Sequence, residues 1–343
     1  MRATLTALGA LLALALAGGQ VQSQTKEKVS IAALPFVSSS PIFIAKELGY
    51  FDAEGLDLEI KIFNAAQPVA VATASGDTDF GITGLTGGFY NLAGKGALKI
   101  IAAQSREEPG YDFVAYVANP KAHEAGLRKP ADLAGKTVGI TTVGSTFHYN
   151  LGKLAEKHGF KLDSITLKPL QSIPNMSAAL KGQQVDAILI TANNAYQLEK
   201  EGAGKIIGWV HQETPWQLGA LFTSTRMVEG RRATVEKFVR AYLKGTAAYA
   251  EAYLQKDASG KRVFGKKAED LYPIQQKWVK PEPQPQTVLA SANFIDPQGR
   301  LLVKDIYDQV AWYQAQGLVD KDVDPRKFLD LSFVQGHMQV PQN

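Results

Sequence analysis

The stretch TVGSTFHYN, residues 142–150, sets Ser145 three places before His148 at the start of a helical pattern. Residues three apart share a helix face, so a serine nucleophile with an imidazole base is a chemistry this spacing permits. That chemistry also needs a sharp G-x-S-x-G turn and a carboxylate to orient the imidazole, and the sequence supplies neither. A serine at a helix start is instead expected to accept from backbone N–H groups two or three residues on. Ser145 therefore reads as a cap and ligand cradle, and no catalytic residue is expected. His123, His148, His158, His211 and His337 show no metal-ligand spacing, and cysteine is absent. Thiol nucleophiles and cysteine zinc sites are excluded; no metal or cofactor is expected.

The elements around this stretch repeat. VSIAALPF (29–36), LDLEIKIF (56–63) and TDFGIT (78–83) are strand candidates separated by helical patterns. TVGITTV (137–143), ITLKPL (165–170) and VDAILIT (185–191) follow in the same order. That is the arrangement of parallel sheets covered by helices, made twice, with a cleft between the two units. The chain is expected to cross between them near Asp112–Asn119 and to return near Gly219–Ser224, two strands forming a hinge. Open sheets of this kind bind ligands at the carboxyl ends of their strands. Four such ends carry helix-capping or small residues: Ser38-Ser39-Ser40 before Pro41, Thr83-Gly84-Leu85-Thr86, Gly144-Ser145-Thr146, and Ala192-Asn193-Asn194. Helix starts there favour an anionic or acceptor-rich ligand. Phe36, Trp209, Phe147, Tyr149 and Trp216 are candidates for stacking on an organic body, Phe147 and Trp216 foremost because each follows a strand end. His211 is placed either to reach the cleft or to lie on a solvated loop. Asp79 and Asp186 sit at equivalent strand starts in the two units, away from the cleft, and read as structural.

The 343-residue chain is 45% hydrophobic and 20% charged, and its net charge of +4 is spread without a basic block. It is large enough to form substantial cores without disulfides, and no nucleic-acid partner is expected. Arg2 followed by LTALGALLALALAGG has the form of a secretory signal peptide, with cleavage after Ala15-Leu16-Ala17 or near Val21-Gln22-Ser23. The apolar run is shorter than the roughly 20 residues that span a bilayer. With no cysteine to lipidate, a bacterial protein of this kind is expected free in the periplasm.

PIFIAKELGYFDAEGLDLEI (41–60), DLAGKTVGITTVGSTFHYNL (132–151), ALKGQQVDAILI (179–190) and STRMVEGRRATVEKFVRAYLKGTAAYAEAYL (224–254) together resemble the periplasmic substrate-binding proteins of the nitrate, sulfonate and taurine type. That group also includes binders of thiamine pyrimidine precursors. The resemblance spans residues 28 to 255. It implies an α/β, two-lobed periplasmic binding protein (type II-like), each lobe a parallel-core sheet flanked by helices, joined by two crossing strands. The expected division is a signal peptide (1–23), lobe 1 (26–115 and 222–343, the latter with C-terminal helices) and lobe 2 (116–221). Carried over by position, the ligand-facing residues would be Ser39, Ser40, Pro41, Gly84, Thr86, Gly144, Ser145 and Thr146, then Asn193 by analogy. Phe147 and Trp216 join them as aromatic neighbours, which disfavour a bare inorganic anion. The implied function is delivery of a small organic anion, a sulfonate or carboxylate, to the permease subunits of an ABC transporter, by a monomer. Alternatives are a neutral pyrimidine as ligand, a periplasmic sensor module, and the related thiamine-pyrimidine synthase, whose cysteine-rich iron site this chain lacks.

Overall fold

The computed structural model describes residues 25–337, so the expected signal peptide lies outside the described residues. Its strands are β1 (Glu27–Ala33), β2 (Leu56–Ile62), β3 (Phe80–Gly84), β4 (Leu98–Ala103), β5 (Arg106–Glu107), β6 (Val114–Ala118), β7 (Thr137–Ile140), β8 (Thr166–Pro169), β9 (Ala187–Thr191), β10 (Lys205–Trp209), β11 (Trp216–Gln217) and β12 (Gly219–Ser224). They form two five-stranded sheets, β2-β1-β3-β12-β4 and β10-β6-β9-β7-β8. In each, three strands run parallel and the next joins antiparallel. That fourth strand enters from the other lobe: β6 follows the crossing into lobe 2, and β12 follows the return into lobe 1.

The two lobes are built by the same devices. AILIT of β9 and FGITG of β3 are buried throughout, as strands covered on both faces require. Edge strand β2 alternates instead, with Leu56 and Leu58 inward and Asp57 and Glu59 outward. The Asp79 carboxylate accepts from Ser30 N–H at 2.8 Å, and Asp186 accepts from Thr137 N–H at 2.8 Å; each link spans 49 residues. The two carboxylates therefore tie the first strand of the repeat to the start of its third in both lobes, the structural role that the repeat suggested.

The crossings lie upstream of the expected positions. Asp112–Asn119 and Gly219–Ser224 are largely β6 and β12, whose apolar runs are buried inside the sheets. The chain crosses instead through residues 104–113 and 210–218, where β5 and β11 pair antiparallel, Trp216 with Glu107 and Gln217 with Arg106. The expected lobe borders at 115/116 and 221/222 consequently fall within β6 and β12.

The helices that position the site are α1 (Ser40–Glu47), α2 (Ala66–Ser75), α3 (Gly87–Gly94), α4 (Thr146–His158), α5 (Ile173–Lys181), α6 (Ala192–Lys200), α7 (Arg232–Tyr253), α8 (Lys266–Trp278) and α9 (Val303–Ala315). Helix α9 packs on both lobes, against α3 and α4. Its Trp312 fills the space that a side chain at Gly152 would need, an added Cβ lying 2.0 Å from the indole. Tyr90 Oη donates to Gln309 of α9 at 2.8 Å, and Gln309 donates to the Gln217 carbonyl at 2.7 Å. Among the described residues no helix is long and apolar enough to cross a membrane.

Candidate functional site

Between the lobes lies a cavity of about 50 Å³. Lobe 1 contributes Ser38, Gln67, Thr83, Gly84 and Thr86, and the crossing contributes Gln104. Lobe 2 contributes Thr141, Thr142, Ser145, Thr146, Phe147 and Thr191. The strand-to-helix turns bring these hydroxyls to one edge. Thr86 caps α3 by accepting from Phe89 N–H at 3.0 Å, and Ser145 caps α4 by accepting from His148 N–H at 3.3 Å. Helices α2 and α6 also begin here, just after Ala65 and Thr191, and neither has a side-chain cap. Helix starts present unpaired N–H groups and the positive end of the dipole. No Lys, Arg, His, Asp or Glu is among the lining residues. Arg106, on the crossing, pairs with Glu108 at 2.7 Å and lies over the Phe294 ring instead.

Two buried polar atoms in this lining have no partner: Thr83 Oγ1 and Gln104 Oε1. The Gln104 amide N–H donates to the Ser38 carbonyl at 3.3 Å, which fixes the side chain with its carbonyl oxygen unused. Buried polar atoms are nearly always hydrogen-bonded; Gln104 Oε1 packs against Gly219, which has no side chain, and the Thr83 hydroxyl remains available in the lining. The rim is already joined across the lobes: Gly87 N–H donates to the Gly144 carbonyl at 2.9 Å. Tyr313 of α9 donates to the Ser145 carbonyl at 3.1 Å.

Of the residues expected from sequence, Gly84, Thr86, Ser145, Thr146 and Phe147 line the cavity, and Ser39, Ser40, Pro41, Gly144, Asn193 and Trp216 do not. A 3-10 turn, Val37–Ser39, separates β1 from α1 and turns the later serines into lobe 1. Ser40 Oγ donates to Gln275 at 2.7 Å, Ser39 is fully buried, and the Pro41 carbonyl packs where Gly245 of α7 has no side chain. Ser38 and Phe36 face the cavity in their place. Asn193 donates from its amide to the Pro281 carbonyl at 2.8 Å. Trp216 is held in the hinge ladder against Tyr149, ring centres 4.6 Å apart. At Gly144 the need for glycine is a φ of +81°, since an added Cβ would meet nothing within 4 Å. At Gly84 the need is space: an added Cβ would lie 2.8 Å from Thr146 across the cleft. Thr191 was missed, though it stands in β9 where Gly84 stands in β3. Gln104 had no signal, because a polar residue on a crossing segment belongs to no repeat.

Ser145 and His148 form no nucleophile–base pair. The hydroxyl is engaged as a cap, while the imidazole Nδ1 accepts from Gly144 N–H at 3.1 Å and the ring meets Trp312 edge-on. Burial holds His148 below its ordinary pKa of 6.5. His211 lies off the cavity, bonded to Asp112 at 3.1 Å, and Asp112 also accepts from Tyr196 at 2.8 Å. Beside them on the hinge, burial pushes the Glu107 carboxyl well above the usual carboxylate range.

A family model described as NMT1/THI5 like matches residues 37–252. No curated protein matches the chain. Among solved structures, the alkanesulfonate-binding protein SsuA from Xanthomonas axonopodis pv. citri, bound to MOPS, is similar at 19% identity and a TM-score of 0.70, covering 89% of this chain and 98% of its own. The nitrate-binding protein NrtA from Synechocystis PCC 6803 is similar at 12% identity and a TM-score of 0.71, with coverages of 90% and 87%. The desulfurization enzyme DSZB is similar at 12% identity and a TM-score of 0.58, with coverages of 90% and 97%. The shared fold therefore hosts binding proteins and an enzyme.

Proposed function

The chain belongs to the NMT1/THI5-like family, and from that premise we propose that it is the periplasmic solute-binding component of an ABC importer, capturing a small organic anion between its lobes. The observation that carries this reading is the buried, uncharged cavity at which helix starts converge and the Thr83 hydroxyl lacks a partner. Helix starts and hydroxyls can stabilise one negative charge without burying a counter-ion. With no cationic side chain in the lining, a sulfonate or carboxylate monoanion suits the site better than a dianion. On this reading lobe 1 carries β1–β4 and β12, lobe 2 carries β6–β10, and the exported protein is a monomer that docks on permease subunits.

A second reading, a neutral pyrimidine precursor, is favoured by Gln104 Oε1, which calls for a donor that a simple oxyanion does not carry. The engaged states of Ser145 and His148 support a binder over a hydrolase. Native mass spectrometry of the purified protein, followed by thermal-shift screening of organic acids and pyrimidines, tests these readings. A cognate ligand at a hundred to a thousand times its Kd should stabilise the fold by about 3–4 kcal/mol. Ester or amide turnover that disappears in Ser145→Ala would overturn the binding reading.

A further inference from the structure

The inner cavity, about 50 Å³, has room for little beyond a head group, and a groove of about 750 Å³ lies next to it, with Phe36 and Ile173 lining both. By volume the inner space holds a few waters' worth of ligand. We propose that the groove is a second compartment of the same site, taking the apolar body of an elongated organic anion whose head occupies the inner cavity. This rests on the anion-binding reading above and adds the ligand's shape to it.

The groove walls are apolar where they leave the inner cavity: Ile173 and Pro174 of α5 on one side, Ile62, Trp278 and Pro281 on the other. Ile62, at the end of edge strand β2, is 43% exposed and offers apolar surface to the groove. The Trp278 ring is held in place, stacked on Phe43 with centres 5.1 Å apart and its N–H on Glu47 at 2.9 Å. The segment after α8 is fastened to both lobes across the mouth. Lys280 N–H donates to the Pro35 carbonyl of lobe 1 at 2.8 Å, and the Pro281 carbonyl accepts from Asn193 of lobe 2. Trp278, Lys280 and Pro281 lie beyond residues 37–252, the stretch that the family model matches.

Charge at the mouth agrees with an anion. Lys181 pairs with Glu201 at 2.5 Å and Lys277 with Glu47 at 2.7 Å, whereas the Lys280 ammonium reaches only the Gln276 carbonyl, at 3.5 Å.

Calorimetric titration of the purified protein with methanesulfonate, butanesulfonate and octanesulfonate, and with the matching carboxylates, tests the proposal. Affinity should rise by roughly fourfold for each methylene that enters the groove. Trp278→Ala, and separately Ala178→Trp, which fills the groove from the exposed face of α5, should abolish that rise while leaving methanesulfonate affinity unchanged. Two variants with opposite volume changes guard against misfolding of either one, and circular dichroism checks both. Short anions that bind while longer ones gain nothing, or are excluded, would overturn the second compartment and leave the anion reading standing. Binding of no anion at any length would overturn both.

Discussion

The first strand of each lobe ends in a hydroxyl-rich turn before a helix, and the two turns have opposite fates. In lobe 2, Ser145 caps α4 and faces the cavity. In lobe 1, the 3-10 turn carries Ser39 and Ser40 inward, where Ser40 donates to Gln275 and the Ser39 hydroxyl is buried without a partner, and only Ser38 remains at the site. The local sequence is similar; what differs is the layer behind it. Lobe 1 is wrapped by the C-terminal helices α7 and α8, which offer hydrogen-bond partners and close packing to anything at the start of α1. A hydroxyl after a strand thus reaches the cleft only where the chain does not turn it into the layer behind.

The largest expected effect tests the attachment of α9 to lobe 2. Trp312→Ala should cost about 3–5 kcal/mol in urea denaturation, because it empties the space facing Gly152 and removes the contacts with His148 and Tyr149. A loss below about 1 kcal/mol would show that lobe 2 does not depend on α9. Next, Asp186→Ala and Asp79→Ala should each lose about 1.5–3 kcal/mol, the worth of a hydrogen bond to a charged group with its donor left unpaired. Asp79 should lose at least as much, since it also holds Arg231 at 3.2 Å. An unchanged denaturation midpoint in one of the two would break the equivalence of the lobes.

A sharper comparison sets the two serines against each other. Ser145→Ala should weaken binding of the cognate solute by about 1–2 kcal/mol in calorimetric titration. Ser40→Ala should leave binding intact and lower stability by about 1–3 kcal/mol, through the unpaired Gln275. Reversed outcomes would mean that the α1 opening, not the α4 opening, holds the ligand.

The smallest effects are in pH dependence, and the two buried groups should differ in sign. His148 is held below 6.5, so its neutral form is favoured in the folded state and stability is lost as pH falls below 6.5. Glu107 is raised well above 4.5, so its contribution is present below pH 4.5 and is lost as pH rises from there. His148→Gln should flatten the acid side of a thermal-melt profile, and Glu107→Gln should raise the melting temperature near neutral pH. Equal slopes in wild type and variant would remove the titrating role of that residue.

The repeat, the cleft edge and the role of the two aspartates were legible because they follow from local patterns: apolar strand runs, caps, and equal spacing. The crossings were not, because VAYVA and GALFTS are as apolar as any central strand and only pairing reveals which lobe takes them. The inward turn of Ser40 depends on Gln275, 235 residues away, and no local pattern carries that distance. Gln104 and Trp278 likewise acquire their positions from segments without a repeat partner.

The bonds from Gly87 to Gly144 and from Tyr313 to Ser145 join protein to protein, with no ligand atom between them. On the binding reading proposed above, they would favour the closed arrangement independently of what is inside. Apparent affinity scales with the closed fraction. Tyr313→Phe removes one such bond, and it should weaken every ligand by the same factor while leaving the ranking of ligands untouched. On that reading, affinity and ligand choice would change separately, the first at the rim and the second in the lining.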